Sequence, residues 1–238
     1  MASTPEPLVA RWLGRVRFAD CLAQQLEARE AVIEGAAPAQ LLLVEHPPTV
    51  TLGRRASPDD VLWSSAQLEA QGLDVCETPR GGEATLHAPG QLVCYPVVRV
   101  GRQIRAHIVR LAEVTIELLA AHGVSDAAFR METPGVFTEA GKLASIGIHV
   151  SRGVTVQGIS INVDVAPVLF QALVSCGTPE MRMLSLKGLT GAAPPLPTLA
   201  RAWAQRYAAA SGHALTWAPS AAPHADDGAT SPAGPDAP

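Results

Sequence analysis

GKLASIGIHVSRGVTVQGISINV, residues 141–163, is the stretch that decides the fold of this 238-residue chain. Ile146, Ile148 and Val150 occupy alternate positions, and Ile159, Ile161 and Val163 repeat the pattern after the break Ser151-Arg152-Gly153. A period of two is the signature of a half-buried strand, and two such runs around a short Gly-bearing connection predict neighbouring strands.

Outward from this hairpin the pattern changes to a helical one. Ile104, Ile108, Leu111, Thr115, Leu118 and Leu119 predict a long helix ending at His122 and Gly123. Phe18, Leu22, Leu26 and Ile33 predict an amphipathic helix that stops near Gly35, and residues 57–72 and 199–210 predict two more. Pro167 opens a further helical stretch running toward Cys176-Gly177. Leu41–Val44, Thr49–Arg54, Leu73–Glu77 and Leu92–Val98 read as strands, the first closed by His46-Pro47-Pro48. Strands and helices mixed in this order argue for α/β or α+β in one domain.

Composition narrows the function. Lys plus Arg total 18 against 22 Asp plus Glu, a net charge of −4 with pI about 6.0, so nothing favours a nucleic-acid partner. No apolar run approaches the roughly 20 residues of a membrane span, and MASTPEPLVARW has no signal-peptide pattern, so a cytoplasmic protein is expected. Cys21, Cys76, Cys94 and Cys176 are too widely spread for a disulfide framework or a zinc site, and each is read as a single thiol.

Three segments carry chemistry. In Arg80-Gly81-Gly82, successive glycines let backbone N–H groups approach a ligand, although a tight turn gives the same pattern. His87, in the same loop, is a possible substrate contact. Lys142 opens an apolar strand; a lysine held against apolar surroundings gives up its proton more readily, whereas one whose stem snorkels past the strand end does not. Cys176 sits between an apolar helix and a turn, where a neighbouring base would favour the thiolate.

RGGEATLHAPGQLVCYP (80–96), GKLASIGIHV (141–150), GISINV (158–163) and SCG (175–177), with LLLVEHPPTVTLGRR (41–55) upstream, together resemble the lipoyl(octanoyl) transferase family, LipB. The resemblance spans roughly residues 8–207. It implies the catalytic fold of biotin and lipoate protein ligases: a mixed sheet flanked by helices over residues 8–210, after an N-terminal extension (1–7); the resemblance leaves out residues 211–238, which their Ala/Pro-rich composition makes a disordered tail. It implies octanoyl transfer from octanoyl-acyl carrier protein to a lysine of lipoyl domains, in 2-oxoacid dehydrogenase E2 subunits and the glycine cleavage H protein. No cofactor and no metal is implied.

The family's Cys/Lys dyad carries over to Cys176 and Lys142. Its acyl-pocket segments fall on Arg80, Gly81, Gly82, Glu83, Ala84, Thr85, Leu86 and His87, on Ser145, Ile146 and Gly147, and on Gly158, Ile159 and Ser160. Leu86 stands where a tyrosine is usual, Ala88 where a glycine is usual and Gln157 where a histidine is usual. Rival readings are an ATP-dependent lipoate or biotin ligase of the same fold, a non-catalytic module that binds lipoyl domains or acyl carrier protein, and a cysteine hydrolase.

Overall fold

A computed structural model describes residues 5–174 and 181–219. From the N-terminus the chain forms β1 (Pro7–Arg15), α1 (Phe18–Glu34), β2 (Ala39–Glu45), β3 (Thr49–Leu52), α2 (Ser65–Ala70), β4 (Asp74–Glu77), β5 (Ala84–His87) and β6 (Gln91–Val97). It continues with α3 (Ile104–Ala120), β7 (Ala128–Arg130), β8 (Gly135–Thr138), β9 (Gly141–Ser151), β10 (Val154–Asn162), α4 (Leu186–Thr190), α5 (Leu196–Ser211) and β11 (Ala214–Trp217).

Eight strands make one mixed sheet in the order β11-β1-β2-β6-β10-β9-β8-β7. Its first three are parallel and the rest antiparallel. A smaller sheet, β4-β3-β5, stands beside it. The fold is α/β with a mixed sheet flanked by helices.

Burial on both faces explains why Leu41–Val44 is a continuous apolar run rather than an alternation. Leu41 and Leu43 join the cluster made with α3 and α5, while Leu42 and Val44 meet Cys21 of α1, Val93 and Tyr95. The α3–α5 side is built around Trp203, whose ring stacks on Tyr207 at 5.1 Å and 8°. Its Nε1–H donates to Thr115 Oγ1 at 2.9 Å, and that hydroxyl donates to Leu111 O at 2.8 Å. On the opposite face α1 ends where predicted, at Gly35, whose φ of 72° only glycine takes without strain.

Four expectations need correction. The helical stretch within residues 57–72 is the short α2, which holds Gln67 and Leu68 and stops before Gly72, but Leu62 lies outside it, between a 3₁₀ turn (Pro58–Asp60) and the Ser64 cap. The stretch after Ala166 is 3₁₀ (Pro167–Ala172), and its buried residues Leu169 and Ala172 have the i, i+3 spacing of that helix. Residues 211–238 are not all tail, since Ser211 ends α5 and β11 pairs in parallel with β1, Pro7 opposite Ala214. For the same reason Pro7 belongs to the sheet and not to an N-terminal extension. β5, β7 and β8 have only three or four residues each, too few to show a period, and were not read from sequence at all. No helix among the described residues is long and apolar enough to cross a membrane.

Candidate active site

Lys142 reaches the site through an irregularity in β9. Val136 opposes Ala144 while Phe137 opposes Lys142, so Leu143 is an extra residue in the ladder. A bulge of this kind breaks the two-residue period. Leu143 and Ala144 both enter the core beneath α3, and Lys142, which strict alternation would place with Ala144, shares a cleft with Ser145 and Gly147. The lysine is 1% exposed, its Nζ 5.2 Å from the centre of the Phe137 ring. Gly135 makes room for it, because a Cβ there would lie 2.6 Å from Lys142 Cε. The Lys142 N–H donates to Arg182 O at 2.8 Å, and its carbonyl accepts from Leu184 N at 2.8 Å.

Across the cleft Arg80 is also buried, at 7% exposure. Its Nη2 donates to Thr51 O at 2.6 Å and to Thr51 Oγ1 at 2.8 Å, and Nη1 donates to Gly81 O at 3.1 Å. The loop around it is pinned by backbone bonds from Arg54 N to Arg80 O and from Gly81 N to Ile148 O, each 3.0 Å. Two glycines leave the guanidinium its space: a Cβ on Gly53 would fall 2.7 Å from Arg80 Nη1, and one on Gly147 would fall 3.0 Å from Arg80 Cδ. Gly81 and Gly82 themselves line the cleft, and a Cβ at either would meet nothing closer than 3.5 Å.

Two histidines sit under this wall with their tautomers set by neighbours. Gln91 Nε2 donates to Leu86 O at 3.1 Å and to Asn162 Oδ1 at 2.9 Å, so its Oε1 accepts from His87 Nδ1–H at 2.8 Å. His46 Nδ1–H donates to Val16 O at 2.6 Å, which leaves Nε2 to accept from the Tyr95 hydroxyl at 3.0 Å. Burial pushes His46 down to about 4. Burial, then the neighbouring His46, push His87 down to about 3. Both rings are uncharged at neutral pH. Below them Gln157 has a φ of 62°, a left-handed conformation that costs a non-glycine residue about 1–3 kcal/mol. The strain is held by a bond from its N–H to Gln25 Oε1 at 2.7 Å and one from its side-chain amide to Thr78 Oγ1. Gly158 follows, where any Cβ would strike Cys94 O at 2.2 Å.

The cleft encloses about 700 Å³ of atom-free space, part of it open to solvent. It gathers most of the residues singled out in the sequence. Arg80, Gly81, Gly82, Glu83, Ala84 and Thr85 form one side with His87. Ser145, Ile146 and Gly147 of β9 face Gly158, Ile159 and Ser160 of β10 on the other, with Lys142 between. Leu86 is the exception: β5 turns its side chain into the apolar cluster with Val50 and Leu169. Cys176 lies outside the described residues.

Of the other cysteines, Cys21 and Cys94 are fully buried. Burial pushes the Cys21 thiol up to about 12, and Cys94 and Cys76 are raised for the same reason. None of the three borders the cleft. Among the described residues no group of three or more His, Cys, Asp or Glu is placed to hold a metal ion. Sequence reading missed Tyr95 and Glu132, which also line the cleft, and Thr51, His46 and Gln91, which support it. Only His46, set before Pro47-Pro48 at a strand end, carried a local signal.

Comparison with known proteins matches this geometry to a chemistry. The chain is 41% identical to the octanoyltransferase of Maridesulfovibrio salexigens, over 69% of its own length and 78% of the relative's. It is 38% identical to that of Geobacter metallireducens, over 84% and 92%. A bipartite lipoate protein ligase from Thermoplasma acidophilum shares the fold, with a TM-score of 0.71 and 13% identity over 91% of this chain and 87% of that one. The protein is an acyltransferase. Residues 18–208 match the family model of the lipoyl protein ligase A/B catalytic domain, and the chain belongs to that family.

Proposed function

We propose that the protein moves an octanoyl group from octanoyl-acyl carrier protein to one lysine of a lipoyl domain, through a thioester on Cys176. The observation that carries this reading is the buried lysine: a bulge in β9 turns Lys142 out of the core and into the cleft. The backbone of Lys142 also holds Arg182 and Leu184, where the described chain resumes after the segment bearing Cys176. Octanoyl transfer, the activity for which the relatives are named, fits the same reading.

In the first half-reaction the Lys142 amine takes the Cys176 proton, and the sulfur attacks the donor's thioester carbonyl. A carbon–sulfur bond to Cys176 forms as the bond to the carrier sulfur breaks, and the carrier leaves as a thiol with the proton returned by Lys142. In the second half Lys142 removes a proton from the incoming ε-ammonium. The freed nitrogen attacks the acyl-Cys176 carbonyl, the C–N bond forms, the C–S bond breaks, the nitrogen's second proton passes to the Cys176 sulfur, and Lys142 releases the first to solvent. Exchange of one thioester for another is nearly balanced in energy and amide formation is downhill, so no ATP enters.

Burial of an eight-carbon chain at about 0.8 kcal/mol per CH₂ supplies several kcal/mol, enough to select against much shorter acyl groups. The test is transfer to a lipoyl domain with octanoyl-acyl carrier protein as sole donor and ATP omitted. Full turnover is expected; transfer that requires ATP and free octanoate would replace this reading with that of a ligase.

A further inference from the structure

The cleft's charge balance poses a difficulty for its second substrate. Among the described residues its lining carries the guanidinium groups of Arg55 and Arg80 and the carboxylates of Glu83 and Glu132, with Lys142 beside them. Glu83 is engaged, 3.4 Å from Arg55 Nη2. Glu132 is solvent-exposed and has no ion pair or side-chain hydrogen bond with any described residue. It stands in the turn between β7 and β8, and that turn is fixed to the catalytic strand. Pro134 O accepts from Ile146 N at 3.0 Å, and Gly135 packs directly on the Lys142 side chain.

We propose that Glu132 is the residue that recognises the acceptor lysine, its carboxylate receiving the incoming ε-ammonium at the mouth of the cleft. The inference rests on the acyl-transfer reading above and adds a specificity element to it. A primary ammonium approaching the buried Arg80 guanidinium meets like charge, which opposes entry, while Lys142, its proton already returned to the carrier thiol, is in the form that accepts one. A free carboxylate on the lip offsets that repulsion and holds the amine until Lys142 takes its proton. The acyl donor, a neutral thioester at its reacting end, needs no such handle. Glu132 therefore acts on the second half-reaction and not on the first.

The test compares Glu132→Gln with the parent enzyme toward two nucleophiles. One is a folded lipoyl domain with its target lysine. The other is hydroxylamine, uncharged near neutral pH. Glu132→Gln is expected to raise KM for the domain about fivefold at low ionic strength, with the gap narrowing as salt is added, because screening acts on exposed charge. Transfer to hydroxylamine is expected to keep the parent rate, and Glu132→Asp to recover most of the loss. A Glu132→Gln enzyme with parent KM for the domain, or with equal losses toward both nucleophiles, would overturn the assignment. A parent enzyme that forms the acyl intermediate but never acylates the domain would overturn the proposed function with it.

Discussion

The two faces of the large sheet are built on different rules. On the α3–α5 face, Leu41, Leu43, Ile159 and Ile161 meet Trp203 and Tyr207 in an almost wholly apolar layer. On the other face the sheet and its neighbours bury Gln25, His46, His87, Arg80, Lys142 and Gln157. An apolar layer gains stability from area removed from water, about 25 cal/mol per Å². A polar layer must instead satisfy each group it buries, and here glycines, a bulge and a left-handed Gln157 are the means. Stability and chemistry are thus divided between opposite sides of one sheet.

Mutation can break that division. The largest effect is expected from Lys142→Met, which should lower turnover by about a hundredfold or more, the usual worth of a positioned acid–base group. Thermal stability should change far less than turnover, because an apolar chain of similar length fills the same space. Assay and melting curve together decide it. Trp203→Ala should do the converse: a loss of about 3–5 kcal/mol in denaturant unfolding, with activity per folded molecule retained.

Acid sensitivity probes both faces. His46, His87 and His107 are held near 4, near 3 and near 4, all below their ordinary value, chiefly by burial. The unfolded chain binds protons at these rings from about pH 6.5 downward while the folded protein does not, so stability is complete above that pH and falls as pH drops toward 4. Each ring contributes a slope of up to about 1.4 kcal/mol per pH unit. His107 lies on the α3–α5 side, edge-on to Tyr207, and neither of its nitrogens has a partner among the described residues. His107→Phe should therefore flatten the acid slope by one proton and leave transfer unchanged, as read by urea unfolding across that range. The smallest effect is expected from Gly147→Ala, whose methyl presses Arg80 Cδ from 3.0 Å. A severalfold rise in KM for the acyl donor with little change in stability would show that Arg80 is held for the site and not for the fold.

Much of the apolar face could be read in the sequence because its signals are local. The alternation in 141–163 and the helical spacing of Ile104–Leu119 sit in contiguous residues, and the structure places both where expected. β11 escaped reading because its pairing partner, β1, lies two hundred residues away in the chain. The site was legible as motifs but not as geometry. Strict alternation puts Lys142 on the core side with Ala144 and Ile146, and only the register of β8, itself too short to show a period, reveals the bulge that reverses it. Leu86 failed as a cleft residue for a related reason, since a four-residue strand turns alternate members away. Tyr95 and His46 gain their roles from each other across 49 residues, and Gln91 ties its near neighbour His87 to Asn162, 71 residues on.

Intact-protein mass spectrometry after incubation with octanoyl-acyl carrier protein tests the central claim most directly. A single octanoyl adduct is predicted, present in the Cys21→Ser, Cys76→Ser and Cys94→Ser enzymes, absent in Cys176→Ser, and formed far more slowly in Lys142→Met. An adduct that persists in Cys176→Ser, or forms at the parent rate without Lys142, would contradict the account.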